Sequence, residues 1–234
     1  LASRLAEFYE RAGEVECMGK DERVGAVSAI GAVSPPGGDI SEPVSQATLR
    51  IVKVFWCLSS ALAYARHFPA IDWLQSYSLY SDRLRKYYDA KVAPDWSKLV
   101  GTTMEILQEE ANLNEIVRLV GIDALGFKDR ITMECARSIR EDFLHQNSFH
   151  EVDTYTSLEK QYDMLKLIIT WYQKALDLSG KHIALDRIID MPVREQIGRA
   201  KYIPESERDE KFAQLFKDLD QAFADLTEEG GDNA

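Results

Sequence analysis

The chain has 234 residues, of which 45% are hydrophobic, and a formal net charge of -11 at pH 7. This size and apolar content suit one large or two modest packed domains, and the acidic balance without a basic stripe excludes binding to nucleic-acid backbones. No run of about 18 apolar residues and no export leader is found, so neither membrane insertion nor secretion is expected. Cys17, Cys57 and Cys135 are odd in number and far apart, which favours free thiols in a reducing cytoplasm.

The first 71 residues alternate between helical and strand patterns. Apolar residues at helical spacing predict a helix over residues 1–13, which begins at once and so suggests a piece of a longer chain. A hairpin is predicted next, from a short strand at 15–18 and an inner strand at 25–33 that we expect to be covered on both faces. Residues 34–43 are typical of a stiff acidic loop, because their prolines end strand pairing.

Residues 49–58 are rich in β-branched and aromatic side chains, which predicts a strand, and Ser59 and Ser60 can cap a short helix over 61–66. From Ile71 onward the spacing predicts helices only. Trp73, Tyr77 and Tyr80 contribute to the first of these patterns, and a later core-facing row recurs every four residues at Ile131, Cys135, Ile139 and Phe143. These predicted helices cover residues 72–92, the segment after Pro94, residues 128–146, a helix from a Thr156–Glu159 capping box to Gly180, and a last one after Pro204. The pattern therefore predicts an α+β fold that is mainly α, with an α/β part over 1–71, a helical bundle over 72–228 and a disordered tail over 229–234.

Motifs that would carry chemistry are mostly missing. No GxxxxGKS or GxxxxGKT loop is present, and Gly37–Gly38 lacks the lysine and hydroxyl that cradle a triphosphate and magnesium. His145 and His150, with Glu151 and Asp153, suggest a metal cluster, but histidines five residues apart do not share one helix face. Neither a GxSxG elbow nor a recognisable Cys-His context supports nucleophilic catalysis, so no catalytic residue is predicted.

Two aromatic residues stand out by position: Phe68 in HFPAI, and Phe149 in QNSFH after a long helix. Taken alone, such residues most often pack in a core. However, LASRLAEFYERAG, GAVSAIGAVSPPGGDISEP and TLRIVKVFWCLSSALAYARHFPAIDWLQSYSLY resemble the catalytic A subunit of archaeal A-type rotary ATP synthases, relatives of vacuolar-type ATPases. The later EDFLHQNSFHEVDTY resembles the same family, so the likeness spans nearly the whole chain.

The resemblance implies that residues 1–71 are the C-terminal remnant of a nucleotide-binding α/β domain, followed by the C-terminal helical bundle. It implies that Phe68 and Phe149 hold adenine, with Gln146 and Ser148 as weaker candidates at the base edge. The cofactor would be ATP or ADP with Mg2+ in the full-length subunit, and none is expected to bind tightly to this part alone. Catalysis would come from upstream residues and from an arginine of the neighbouring B subunit.

The loop with Asp39 and Glu42 faces the central stalk in the related rotary enzymes, so the resemblance implies a rotor-facing role for these two carboxylates. It further implies an ion-translocating ATP synthase or ATPase: an alternating A3B3 hexamer with B subunits, central-stalk and peripheral-stalk partners, and a peripheral place on the cytoplasmic side of the membrane. Two alternatives stay open. One is a non-catalytic regulatory or scaffold protein, including a B-type subunit, and the other is a helical metalloenzyme with metal at His145 and His150.

Overall fold

The structure is a computed structural model that describes residues 2–19, 22–181 and 183–231. Helices dominate the described residues, and two two-stranded sheets accompany them. The chain divides into two compact units, one made of Leu1–Trp56 and Ser76–Tyr80 and the other of Cys57–Gln75 and Ser81–Ala234. The predicted class, α+β and mainly α, is confirmed.

The first unit begins with helix α1 (Ala2–Tyr9) and a β-hairpin. Strands β1 (Gly13–Glu16) and β2 (Val24–Val27) pair antiparallel, with Gly13 opposite Val27 and Glu16 opposite Val24. The predicted helix and hairpin are thus present, although Leu1 lies outside the described residues. Both elements are formed by residues that are near one another in sequence, so the local spacing of apolar residues was sufficient to predict them.

The inner strand predicted over 25–33 is wrong. β2 ends at Val27, and the residues from 28 to 35 have no regular structure. Val24 and Val27 are 63% and 61% exposed, so neither face is covered by the described part of the chain. The physical reason is that a strand needs a paired neighbour, and β1 offers only four residues of partner.

The strand predicted over 49–58 is half right. Residues Pro43–Leu49 form helix α2, and strand β3 starts later, at Val54–Leu58. Pro43 suits the first turn of a helix because its fixed φ is already helical, and the Glu42 carboxylate accepts the N–H groups of Val44 and Ser45. A single 3-10 turn, Pro36–Gly38, interrupts the preceding loop, with Gly37 and Gly38 at positive φ.

Helix α3 (Ser60–Tyr64) is capped as predicted, since Ser59 Oγ accepts the N–H of Leu62 at 3.3 Å. The expectation of helices only from Ile71 is wrong, because Ile71–Ser78 is strand β4, which pairs with β3. Trp73, Tyr77 and Tyr80 mimic a helical row, yet the tyrosine hydroxyl of Tyr77 donates to the Leu49 carbonyl from an extended backbone. The helix in this region starts only at Ser81.

The second unit contains the longer helices. They are α4 (Ser81–Lys91), α5 (Trp96–Val120), α6 (Phe127–Ser138), α7 (Leu158–Leu176), α8 (Leu185–Ile189), α9 (Val193–Arg199) and α10 (Arg208–Gly231). α6 continues directly into a π-helical segment, Ile139–Leu144, and short 3-10 turns cover Ile122–Ala124, Ala200–Tyr202 and Glu205–Glu207. None of the described helices is both long and apolar enough to cross a membrane.

Helices α5, α6, α7, α9 and α10 share one apolar core. Ile131, Cys135 and Ile139 are 0% exposed, as their four-residue spacing predicted, and Trp171 is 1% exposed beneath the guanidinium of Arg194. Complete burial of each large apolar side chain contributes roughly 1.5–3 kcal/mol, so this core is the main source of stability in the unit.

Details at the helix ends differ from the sequence-based expectations. The cap of α7 is Ser157, whose Oγ accepts the N–H of Lys160, and not the Thr156–Glu159 box. α8 and α9 were not predicted, because five and seven residues are too short for a visible helical period. α10 runs to Gly231, and the remaining tail residues 232–234 lie outside the described part.

Candidate functional site

Phe68 lies in the short connection between α3 and β4, within the second unit. The connection leaves α3 through Arg66 at φ +58° and reaches Pro69 through a cis Phe68–Pro69 peptide bond. The carbonyl oxygen of Phe68 accepts the N–H of Gln146 at 2.8 Å. This hydrogen bond joins two segments that are far apart in sequence. The Phe68 residue itself is 50% exposed.

A pair of histidines lies behind this contact. His67 Nε2 is 2.9 Å from the Arg140 carbonyl oxygen, which can only accept, so Nε2 carries the hydrogen. The His67 ring also lies 5.2 Å from the ring of His145 and 5.7 Å from that of Trp73. Burial lowers the pKa of His145, and the positive charge of Lys201 and the neighbouring His67 lower it further.

Gln146, Ser148 and Phe149 belong to one hydrogen-bonded segment, residues 145–154, which we call the base loop. Asp153, only 3% exposed, accepts the Asn147 N–H on its carboxylate at 2.6 Å and the Gln146 side-chain amide on its carbonyl at 2.7 Å. Hydrogen bonds within the loop therefore hold its backbone and the Gln146 side-chain NH2 group in place.

At the tip of the base loop, Phe149 is 97% exposed and Ser148 is exposed too. The Phe149 N–H donates to the Asn147 side-chain oxygen at 3.0 Å, so the backbone below the ring is held. An apolar ring that is held in contact with water gains no free energy from burial. Contact with a flat apolar ligand would bury its surface and so be favourable.

The structure thus brings Phe68 and Gln146 into direct contact and places Ser148 and Phe149 in the same base loop. Sequence reasoning missed the structural roles of His67, Arg140 and Asp153, which hold these segments together. Nothing in the local pattern marks Arg140 as a partner of His67, but a lone aspartate in HEVDTY could have been suspected of closing a turn. A cleft of about 290 Å³ elsewhere on the second unit, lined by residues of α9 and α10 among others, includes neither phenylalanine.

The two histidines of the suggested metal cluster have other uses. His145 packs against His67, whereas His150 Nδ1 accepts the N–H groups of Val152 and Asp153 at 3.1 and 3.3 Å. Within the described ranges, no group of three or more His, Cys, Asp or Glu side chains is arranged to hold a metal ion.

In the acidic loop of the first unit, both carboxylates accept hydrogen bonds from backbone N–H groups close by in sequence. Asp39 accepts the Ser41 N–H at 2.9 Å, and Glu42 caps α2 through Val44 and Ser45. Hydrogen bonds from Ser41 lower the pKa of Asp39, and hydrogen bonds from Ser45 and Val44 lower that of Glu42. Asp39 is exposed and Glu42 is half-buried, and both carry negative charge at neutral pH, so they remain able to attract a cationic partner.

Two family models match the chain. One, described as the nucleotide-binding domain of the ATP synthase alpha/beta family, matches residues 1–78, and the other, described as the C-terminal domain of V and A type ATP synthase, matches residues 85–185. The V-type ATP synthase alpha chain of Thermoanaerobacter pseudethanolicus is 60% identical over 234 residues. Over its whole length the chain is similar to V-type ATP synthase alpha chains. The resemblance stated from the sequence is thereby confirmed.

Relatives within the alpha-chain family are longer than this chain. The match to Thermoanaerobacter pseudethanolicus covers 100% of this chain and 40% of the relative. The alpha chain of Acetivibrio thermocellus is 61% identical over 221 residues, which are 94% of this chain and 38% of the relative. The chain therefore spans about two fifths of the length of these curated relatives, and their names do not favour a scaffold protein or a B-type subunit.

A solved structure shows a related fold. It is titled as the structure of a unique ATP synthase subunit NeqB from Nanoarcheaum equitans and has a TM-score of 0.56 at 23% identity, covering 73% of this chain and 38% of that chain. At this identity the likeness concerns the fold alone. In this chain, Phe68 lies in the stretch matched by the nucleotide-binding family model. Gln146, Ser148 and Phe149 lie in the stretch matched by the C-terminal family model.

Proposed function

We propose that this chain supplies the adenine side of the nucleotide site in the catalytic subunit of a rotary, ion-translocating ATP synthase or ATPase. The observation that carries the proposal is the hydrogen bond from the Gln146 N–H to the Phe68 carbonyl. It ties together the two segments whose exposed phenylalanines, Phe68 and Phe149, offer flat apolar surfaces for a base. Gln146 Oε1 and the Ser148 hydroxyl are available to the base edge.

The proposal divides the work between this chain and the rest of a longer subunit. The chain has no phosphate-binding loop, so the phosphates and Mg2+ of ATP would be held by residues outside it. Residues 1–71 would complete the nucleotide-binding domain, and the helical bundle, whose first helix starts at Ser81 after strand β4, would move as the nucleotide binds and leaves. The partners would be B subunits in an alternating A3B3 hexamer, with a neighbouring arginine completing catalysis, and the central and peripheral stalks.

The complex would lie on the cytoplasmic side of a membrane. In it, the loop with Asp39 and Glu42 would face the central stalk, because both carboxylates stay charged while they accept local N–H groups, with Asp39 exposed and Glu42 half-buried. Asp39→Asn and Glu42→Gln test this role, since each amide removes the charge and keeps one acceptor oxygen. Asp39→Asn is the cleaner of the two, because Glu42→Gln also gives up one of the two acceptors that cap α2. We expect reduced ATP-driven torque in single-molecule rotation with unchanged ATP affinity. Torque equal to that of the parent complex would argue against a rotor-facing role.

The adenine site is tested with Phe68→Ala and Phe149→Ala in the intact alpha chain, by titration with ATP. Base stacking on an aromatic side chain contributes about 1–3 kcal/mol, so each substitution should weaken ATP binding by about 5- to 150-fold. Tyr64→Ala is the matched control, because it removes another exposed ring, 89% exposed, from α3 of the same unit. ATP affinities equal to the control for both phenylalanine variants would refute the proposed site.

A further inference from the structure

Two buried lysines lie behind the base loop. Lys160, on α7, is 0% exposed and donates from Nζ to the carbonyl oxygen of Lys201 at 2.8 Å. Lys201, in the 3-10 turn after α9, is 7% exposed and donates from its own Nζ to the carbonyl oxygens of Glu141 at 2.9 Å and His145 at 3.2 Å. Lysine is almost never fully buried unless its ammonium group has such partners, because burial of a charge is costly. The two lysines therefore invite the question of what their buried positions do for the neighbouring segments.

The two acceptors of Lys201 lie in the π-helical end of α6 (Glu141) and directly after it (His145). In this segment the His145 N–H donates to the Arg140 carbonyl five residues earlier, at 2.9 Å. The same Arg140 carbonyl also accepts His67 Nε2. Side chains from two distant segments thus supply donors to a helix end whose carbonyls lack regular α-helical partners.

One peptide group connects the lysine to the candidate base site. The carbonyl of His145 and the N–H of Gln146 belong to the same planar unit, whose atoms cannot rotate independently. Lys201 Nζ holds its oxygen, and the Phe68 carbonyl accepts its hydrogen. Lys201 therefore sets the orientation of this peptide plane, and that orientation sets the position of the Phe68 carbonyl group, which accepts the Gln146 N–H.

We propose that Lys201 is a positioning residue of the base site, which orients the His145–Gln146 peptide and through it Phe68, and that Lys160 holds Lys201 in place. The proposal rests on the proposed function, because it assigns a purpose to the position of Phe68. Lys201 does not touch the nucleotide. Its loss should weaken recognition of the base and leave recognition of the phosphates intact.

The test compares Mg-ATP with Mg-tripolyphosphate, which lacks the base, in the intact alpha chain carrying Lys201→Met. We expect an about tenfold loss of ATP affinity, unchanged affinity for tripolyphosphate, and in the assembled complex a raised KM with kcat nearly unchanged. Lys174→Met is the matched control, since this α7 lysine is paired with Asp220 at 2.9 Å and should leave the affinity ratio unchanged. An equal loss for both ligands, or no loss for either, overturns the positioning role.

Amide hydrogen exchange gives a second measurement. In Lys201→Met the Gln146 N–H should exchange faster, whereas the Asn147 N–H, held by Asp153, should keep its rate. Should the Met variant fail to fold, Lys201→Arg retains a charged donor of different geometry, and it is expected to shift the ATP to tripolyphosphate ratio in the same direction. A ratio unchanged in Lys201→Arg would then overturn the proposal.

Phe68→Ala separates this inference from the proposed function. If Phe68→Ala lowers the ATP to tripolyphosphate affinity ratio and Lys201→Met does not, only the role of Lys201 is wrong. If neither substitution changes the ratio, the adenine site itself is wrong, and the positioning role falls with it.

Discussion

The ion pair between Glu110 and Arg140 links α5 to the π-helical segment that precedes the base loop. Arg140 Nε lies 3.1 Å from both carboxylate oxygens, and Nη2 lies 2.9 Å from Oε1. The Glu110 side chain is only 7% exposed and that of Arg140 is 30% exposed. Replacing Arg140 by methionine would leave a nearly buried carboxylate without its partner.

Removing one member of a buried ion pair costs about 3–5 kcal/mol, and the partial exposure of Arg140 places the expected loss near the lower end, about 3 kcal/mol. For a chain of this size that corresponds to a fall in Tm of roughly 6–12 °C. The assay is urea unfolding followed by circular dichroism. Arg137→Met is the control on the same helix, because the Arg137 side chain is 49% exposed and paired three residues away with Glu134, and it should cost at most about 0.5 kcal/mol.

A double substitution sharpens this prediction. Combining Glu110→Gln with Arg140→Met removes the stranded charge, so the pair of changes should cost less than the sum of the single ones. If Arg140→Met is no more destabilising than Arg137→Met, or if the two changes at Glu110 and Arg140 are simply additive, the account of this buried pair is wrong.

Two further predictions concern titratable groups. The lowered pKa of His145 means that the folded state binds fewer protons than the unfolded state below the ordinary value of 6.5, so stability should fall as the pH drops through 6.5 toward the folded pKa. His145→Asn should flatten this part of the profile in urea unfolding from about pH 7.5 to 5.5, and an unchanged slope would contradict it. Burial also raises the pKa of the Cys135 thiol. Iodoacetamide should therefore modify exposed Cys17 and spare Cys135 in the folded protein, and mass spectrometry showing equal labelling would contradict its burial.

The sequence predicted best where apolar residues repeat within a single long helix. Ile131, Cys135, Ile139 and Phe143 were placed in a row from their spacing alone. The first three are completely buried, and Phe143, in the π-helical segment, is half-buried against the same core. The period of a helix is a local property, so it can be read without knowing the rest of the fold. The same reasoning failed over Ile71–Ser78, where aromatic residues at helical spacing lie on a strand that is paired with β3.

Other errors came from signals that depend on distant partners. The π-helical segment Ile139–Leu144 has donors from His67 and Lys201, which no local pattern connects to it. Helix α2 was missed although Pro43 marks its first turn, because the β-branched residues that follow it in the chain dominated the interpretation. The exposed strand β2 was assigned to an interior because its composition is apolar on both faces.

The candidate site shows the same division. Residue types alone favoured core packing for Phe68 and Phe149, and only the family resemblance assigned them to adenine. Their exposure and the Gln146–Phe68 hydrogen bond were not accessible from sequence, since they depend on how two distant segments meet.

The central claim is that the adenine of ATP lies against Phe68 and Phe149. A crystal structure of the intact alpha chain with Mg-ADP bound tests it most directly. The account predicts that the adenine ring contacts both phenylalanine rings, with the Gln146 N–H still donating to the Phe68 carbonyl. An adenine ring bound elsewhere, with both phenylalanines left in solvent, would contradict it.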